Sequence, residues 1–155
     1  LLLTVRSENV SRHRGEVAFP GGMWQEGDDS LLETALREAE EEVGLLESSL
    51  ELLATLPSAS PMQDHIMVVP FVAYMSREQE LVAQPSEISK IFRVPITYLM
   101  NNENYFYFKK SFDGELFCLP YIDYNGERIW GFTLKVMVDL LKTSLDAKIH
   151  LCFPY

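Results

Sequence analysis

The sequence predicts a single domain of the α+β class. Its 155 residues are 47% hydrophobic and 12% aromatic, which supplies enough apolar material for a sizeable core. Strand-like runs dominate the chain, and two segments have helical periodicity, one ending at Gly44 and one over residues 131–141. Because helices and strands do not alternate regularly, we expect a mixed sheet flanked by helices rather than repeated βαβ units.

The strands are predicted from apolar, β-favouring runs that end at turn residues. Asn125-Gly126 is a strong signal for a two-residue hairpin turn, and residues 96–100 read as a helical turn. Pro70 falls inside one run, which favours an edge position or a bulge, and His65 at its start is expected to be structural. The predicted strands cover residues 1–6, 16–19, 51–56, 65–75, 87–95, 105–108 and 116–122.

The first helix carries an acidic patch. With about 100° of rotation per residue, Glu41 and Glu42 fall about 60° to one side and about 40° to the other side of Glu38. The apolar positions form a core stripe on a neighbouring face, and Glu33 and Glu40 point to solvent. The stripe consists of Leu32, Ala35, Leu36, Ala39 and Val43.

The acidic patch is unfavourable for the helix by itself. Glutamates three and four residues apart repel by a few tenths of a kcal/mol per pair, and the helix C-terminus disfavours anions by roughly 0.3–1 kcal/mol. Arg37 is the one nearby cation in sequence, and no lysine lies among the glutamates. One reading is an acidic face that is simply solvated. The other is a bound Mg²⁺ or Mn²⁺, which prefer oxygen ligands and would make the repulsive interactions of these glutamates favourable.

The helix and the turn before it carry a recognisable pattern. G-G-x5-D-D-x7-R-E-x2-E-E-x-G-L, which runs from Gly21 to Leu45, resembles the Nudix box of nucleoside-diphosphate-linked-moiety hydrolases. One extra residue lies between the Gly-Gly pair and the helix, and Asp29 holds the first acidic position. The coenzyme A branch of the family is similar in carrying this longer loop.

The resemblance implies an α/β/α sandwich and a set of functional residues. Glu38, Glu41 and Glu42 would hold one or more Mg²⁺ or Mn²⁺ ions, and Glu38, Glu41 and Arg37 would act in catalysis, with Arg37 orienting the glutamates. The general base is open between Glu41 and an acid of the later loop. The loop candidates are Glu78, Glu80 and Glu87, of which Glu87 is expected to be structural rather than catalytic.

A second motif lies upstream and overlaps the glycine pair. L-L-T-x-R-S at residues 2–7, Gly15, and F-P-G-G at residues 19–22 are similar to the signature of coenzyme A diphosphatases, although Ser11 stands where that signature expects arginine. The basic loop could be merely solvated, but arginine forks also bind phosphate oxygens bidentately. The residues assigned to substrate binding are Arg6, Ser7, Arg12, Arg14, Phe19, Gly21 and Gly22.

The substrate that the resemblance implies is coenzyme A or acyl-coenzyme A, cut to 3′,5′-ADP and (acyl-)4′-phosphopantetheine. Two alternatives are a Nudix hydrolase of another dinucleotide, such as ADP-ribose or NADH, and a Nudix module that binds nucleotides without cleaving them. The retained glutamates disfavour the non-catalytic module.

Charge and cysteine content limit the partners and the compartment. A net charge of −10 and a pI of about 4.7 argue against nucleic-acid binding and against adsorption to anionic membranes. Cys118 and Cys152 fit no metal or redox spacing. With no transmembrane run and no signal peptide, we expect a cytoplasmic protein, and a homodimer is one option for its assembly. Because Leu1 already lies within a predicted strand, we expect that an N-terminal segment precedes it.

Overall fold

The computed structural model describes residues 1–62 and 66–154, which divide into two compact units. The N-terminal unit consists of Leu2–Pro57 and Val69–Arg93. The C-terminal unit consists of Leu1 and the described residues within Ser58–Val68 and Val94–Tyr155. The prediction of a single domain therefore stays a prediction.

The N-terminal unit contains one helix and five strands. A three-stranded antiparallel sheet has the order β2 (Val17–Ala18), β1 (Leu2–Arg6) and β5 (Ile88–Arg93). Strands β3 (Leu50–Thr55) and β4 (Phe71–Met75) form a separate antiparallel pair. Helix α1 (Leu31–Val43) packs by its apolar stripe near β5. The buried core of this unit includes Ala39, Val43, Leu45 and Ile88.

Helix α1 ends before Gly44, as the sequence predicts, and both of its ends are capped. The Ser30 hydroxyl caps the helix by accepting from the Glu33 backbone N–H at 3.1 Å, and the Glu33 carboxylate accepts from the Asp29 N–H at 2.6 Å. Gly44 ends the helix with φ of 69°, a left-handed conformation that glycine adopts without a side-chain clash. These caps hold the acidic face of α1 in a fixed position.

The C-terminal unit is a β-meander with a covering helix. Strands β6 (Phe106–Phe112), β7 (Glu115–Tyr124) and β8 (Glu127–Trp130) follow the short helix α2 (Ile96–Leu99) and precede α3 (Gly131–Leu145). The turns Asp113-Gly114 and Asn125-Gly126 have positive φ at both residues, as a two-residue hairpin requires. Helix α3 covers one sheet face. The fully buried side chains include Ile122, Ile129, Leu134 and Met137.

The predicted α+β class is confirmed, with three differences. Every strand pairing among the described residues is antiparallel, where we predicted a mixed sheet; two-residue turns join β6 to β7 and β7 to β8, as antiparallel pairs allow. The run predicted as a strand over residues 65–75 becomes a strand only after Pro70, whose ring nitrogen cannot donate to a ladder. Strand β6 and helix α3 each extend four residues beyond their predicted ends. His65 lies outside the described residues.

Candidate active site

Three carboxylates meet at one point of the N-terminal unit. Glu38 and Glu42 project from successive turns of α1, and Glu87 lies directly before β5. One oxygen atom from each carboxylate lies within 4.8 Å of the others. Glu42 is buried and Glu87 is exposed. The structure thus brings Glu87, which we expected to be structural, into the same group as two residues of the helix.

Glu42 is the buried member of this group. Its side chain is 3% exposed, one carboxylate oxygen accepts from the Gly21 backbone N–H at 3.1 Å, and the other lies 3.9 Å from Arg6 Nη1. Burial raises the pKa of Glu42 to about 7, although the Gly21 hydrogen bond and the Arg6 charge oppose the rise. The nearby charges of Glu38 and Glu87 contribute to this rise, so an added cation would stabilise the charged carboxylate.

The glycine pair is required for the approach of the chain to these acids. Gly21 has φ of 144°, which side-chain-bearing residues rarely adopt, and its N–H points to Glu42. A Cβ atom on Gly22 would overlap the Glu38 carboxylate, 2.8 Å from Oε1 and closer still to the other atoms. Gly21 and Gly22, which we assigned to substrate binding, therefore also leave room for and contact the side chains of Glu42 and Glu38.

Arg37 joins the helix to the preceding loop. Its Nε atom donates to Asp28 Oδ1 at 2.9 Å, and its Nη1 atom donates to Glu38 at 2.8 Å and to Glu41 at 3.2 Å. Asp28 also accepts from the Thr34 hydroxyl at 2.8 Å. The Arg37 hydrogen bond holds the pKa of Asp28 well below its ordinary value, and Asp28 in turn raises the pKa of Arg37.

This arrangement fits the orienting role expected of Arg37, but sequence reasoning assigned no role to Asp28 beyond the helix start. The signal available in the sequence was the spacing of Asp28, which lies six residues before Thr34 and nine residues before Arg37. The network fixes the loop that leads from Gly22 to the helix.

Glu41 lies apart from the three grouped acids. Its carboxylate is 59% exposed and pairs with Arg37 on the solvent side of α1. The helical rotation explains this separation, since Glu42 turns from Glu38 towards the sheet and Glu41 turns the opposite way. The acidic patch predicted from the sequence is thus divided between the buried Glu42 with the partly buried Glu38 and the exposed Glu41.

The residues of the upstream motif occupy different environments. Arg6 reaches Glu42, and its buried Nε atom has no hydrogen-bond partner among the described residues. The register between β1 and β5 shifts at Arg6, and this irregularity changes the direction of the backbone opposite Ile88, the residue after Glu87. Arg12 and Arg14 are exposed, and Arg14 Nε donates to the Val10 carbonyl at 2.7 Å. Phe19 is half-buried.

Ser7, which we assigned to substrate binding, is buried and bonded to its own backbone surroundings. Its residue is 4% exposed, its hydroxyl accepts from the Asn9 N–H at 3.3 Å, and its own N–H donates to the Glu87 carbonyl at 2.7 Å. These bonds turn Ser7 inward and fix the backbone of Glu87. In this conformation Ser7 positions an acid of the site and does not face solvent.

The grouped acids fit a divalent cation of the hard, oxygen-preferring type. Three carboxylates offer ligand oxygens that lie within 4.8 Å of one another, and burial raises the pKa of one of them, Glu42. Mg²⁺ and Mn²⁺ match this donor set. Among the described residues the group contains no cysteine or histidine, which are the ligands that Zn²⁺ usually takes.

The chain is similar to known proteins over most of its length. The NUDIX domain model matches residues 1–113. The uncharacterized Nudix hydrolase NudL of Photorhabdus laumondii is 35% identical over 90% of this chain and 74% of its own length. Nudix hydrolase 3 of Caenorhabditis elegans is 33% identical over 97% of this chain and 68% of its own length. These hydrolase relatives confirm the predicted enzyme class.

Two further matches are more distant or partial. The mitochondrial Nudix hydrolase 15 of Arabidopsis thaliana is 31% identical over 89% of this chain, which spans half of that protein. The NUDIX domain of Shewanella oneidensis NrtR, complexed with ADP ribose, has a TM-score of 0.47 and 24% identity over 64% of each chain. Among the described residues, no helix has the length and apolar character needed to cross a membrane. The domain match and the relatives show that the chain belongs to the Nudix family.

Proposed function

We propose that this chain hydrolyses the pyrophosphate bond of coenzyme A or acyl-coenzyme A, with Mg²⁺ or Mn²⁺ as cofactor. The products would be 3′,5′-ADP and 4′-phosphopantetheine or its acyl form. The observation that carries the proposal is the group of Glu38, Glu42 and Glu87, which could hold a divalent cation and which lies next to the Gly21-Gly22 turn. The coenzyme A assignment rests on the upstream signature, which the resemblance links to that substrate.

Glu38, Glu42 and Glu87 are the residues that would hold the cation. The chemistry that a bound divalent cation supplies here is positive charge opposite the phosphate oxygens and acidification of nearby water. Arg37 keeps Glu38 in place and ties the helix to Asp28, so the acids need little rearrangement when substrate arrives. The Gly21 N–H fixes the rotamer of Glu42 in the same way.

Glu41 is our candidate for the residue that takes a proton from the attacking water, with Glu87 as the alternative. The Glu41 carboxylate is exposed and is held by Arg37 at one oxygen, which leaves the other oxygen for water. The water oxygen forms a bond to phosphorus while the bridging phosphoanhydride oxygen leaves with the second phosphate. Substitution of each acid by glutamine separates the two assignments by its effect on the pH dependence of kcat.

The basic side chains divide between two parts of the substrate. Arg6 lies against Glu42 and carries a buried N–H without a described partner, so it suits an oxygen of the diphosphate. Arg12 and Arg14 lie on the exposed loop and suit the 3′-phosphate. We therefore expect Arg6→Ala to reduce activity on coenzyme A and on dephospho-coenzyme A alike. Arg14→Ala should reduce the preference for coenzyme A.

The loop after Gly22 presents an apolar surface for the organic part of the substrate. Met23 and Trp24 are 70% and 57% exposed, and the Trp24 indole N–H donates to the Asp28 carbonyl at 3.0 Å. The Met23 carbonyl accepts from Arg37, which also holds Glu38. An exposed indole that is held by the Asp28 carbonyl can contact a base or an acyl chain with little loss of conformational entropy.

The test is product analysis by liquid chromatography and mass spectrometry. The protein is incubated with Mg²⁺ or Mn²⁺ and coenzyme A, acetyl-coenzyme A, ADP-ribose, NADH or dGTP, with and without EDTA. Glu42→Gln should abolish product formation. Glu40→Gln is the matched control, since Glu40 is exposed on the same helix and takes no part in the acid group.

Each outcome has a defined meaning. Metal-dependent release of 3′,5′-ADP and phosphopantetheine supports the proposal. Cleavage of ADP-ribose or NADH without cleavage of coenzyme A would retain the catalytic site and reject the substrate, with Ser11 as the first position to re-examine. Binding without any cleavage would point to the non-catalytic module. The homodimer and the cytoplasmic location remain predictions from the sequence.

A further inference from the structure

The segment between β4 and β5 follows the C-terminal end of α1 and leads to Glu87. The Val82 N–H donates to the Val43 carbonyl at 3.0 Å, and the Gln84 N–H donates to the Glu42 carbonyl at 2.9 Å. The Glu87 N–H then donates to the Gln84 carbonyl at 2.9 Å. The segment thus occupies helix carbonyls that would otherwise lack partners, and it ends at an acid of the site.

Gln79 fastens the start of this segment through its side chain. Its Nε2 atom donates to the Gly44 carbonyl at 2.5 Å. Its Oε1 atom accepts from the Leu46 N–H at 3.2 Å and from the Ser49 hydroxyl at 2.5 Å. One amide therefore bonds to three residues that lie directly after α1. Gln79 joins residues that are 30 to 35 positions away from it in sequence.

We propose that Gln79 is a positioning residue for the cation site. By fixing its segment against the end of α1, it keeps Glu87 within reach of Glu38 and Glu42. This inference rests on the proposed role of the three acids in holding a divalent cation. Gln79 itself contributes no ligand and acts through Glu87.

The physical reason is that Glu87 does not belong to the helix that carries its two partners. Glu38 and Glu42 are held by α1, whereas Glu87 lies between its docked segment and the paired strand β5, and its carbonyl accepts from the Ser7 N–H. A cation that needs three acids binds with an apparent affinity proportional to the fraction of molecules with the segment docked. Loss of the Gln79 amide lowers that fraction because three hydrogen bonds are removed at once.

The experiment is a double-mutant cycle read by Mn²⁺ binding, without substrate. The dissociation constant is measured by electron paramagnetic resonance for the wild type, Gln79→Ala, Glu87→Gln and the double variant. Gln79→Ala should weaken binding about fivefold to tenfold, within the range seen for residues that orient ligands. In the Glu87→Gln background the same change should have no further effect, because Gln79 acts only through Glu87.

The matched control is Gln84→Ala. It removes the same side-chain type from the same segment, and the described hydrogen bonds of Gln84 are made by its main chain. We expect Gln84→Ala to leave Mn²⁺ affinity within twofold of the wild type. Ser49→Ala, which removes one of the three bonds, is the milder variant if Gln79→Ala does not fold, and it should weaken binding in the same direction.

Amide hydrogen exchange in the metal-free protein gives an independent reading. The Val82 and Gln84 amides should exchange faster in Gln79→Ala, while the amides within α1 keep their protection. Unchanged Mn²⁺ affinity in Gln79→Ala would overturn the inference, as would an equal loss in the Glu87→Gln background. If the predicted cycle is obtained but no substrate is cleaved, the positioning role stands and the proposed function fails.

Discussion

Burial of Glu42 predicts that the metal-free protein loses stability as the pH rises. Burial raises the Glu42 pKa from its ordinary value of 4.5 to about 7. A carboxyl whose pKa is raised by folding stabilises the folded state below the unfolded pKa, and that stability is lost as the pH rises through the folded pKa. At about 1.4 kcal/mol per pKa unit, ionised Glu42 opposes folding by about 3 kcal/mol at pH 8.

The assay is urea unfolding of the wild type and of Glu42→Gln at several pH values from 5 to 8, in EDTA. Between these limits the wild type should lose about 2–3 kcal/mol of unfolding free energy relative to Glu42→Gln, which cannot ionise at this position. Glu40→Gln should keep the wild-type dependence. Saturating Mg²⁺ should restore wild-type stability at pH 8, since a ligand of the folded state stabilises it by mass action.

Two results would refute this reasoning. Parallel pH profiles for the wild type and Glu42→Gln would mean that the buried carboxylate is stabilised by other groups. A stabilisation by Mg²⁺ that is equally large in Glu42→Gln would place the cation elsewhere.

Three further changes test the surroundings of the acids. Gly22→Ala should leave the protein folded, as checked by circular dichroism. It should lower kcat/KM about 100-fold, because the new Cβ atom displaces the Glu38 carboxylate by roughly 1 Å. Wild-type activity in this variant would contradict the prediction. Arg37→Lys should lower kcat about 10-fold or more in steady-state assays, since one ammonium cannot bond Asp28 and Glu38 as the planar fork does; an unchanged kcat would remove the orienting role. Trp24→Ala should raise KM with little change in kcat, whereas a fall in kcat alone would assign the indole to the reaction step instead.

Much of the local structure could be predicted from the sequence because its signals are short-range. Ser30 and Gly44 cap α1, and Asn125-Gly126 closes a hairpin, each through the conformational preferences of one or two residues. The α+β class follows from the same periodicities. The antiparallel pairing of all described strands depends on which distant strands meet, and periodicity does not determine that choice.

The acid group shows a similar division. Helical geometry brings Glu38 and Glu42 to one face, so their proximity is a local property of α1. Glu87 reaches them because β5 pairs with β1 and because its segment docks on the end of the helix, and no local pattern encodes either contact. The same helical angles predicted that Glu41 belongs to the patch. In the structure its side chain pairs with Arg37 on the solvent side of the helix.

The identity of the third acid is the central claim, and the rate of 3′,5′-ADP formation from coenzyme A tests it most directly. The rate is measured with saturating Mg²⁺ for the wild type, Glu87→Gln, and Glu80→Gln as an exposed control from the same segment. The structure predicts that Glu87→Gln slows the reaction about 10- to 100-fold and that Glu80→Gln does not. Full activity in Glu87→Gln, together with loss of activity in Glu41→Gln, would contradict it and restore the site of Glu38, Glu41 and Glu42.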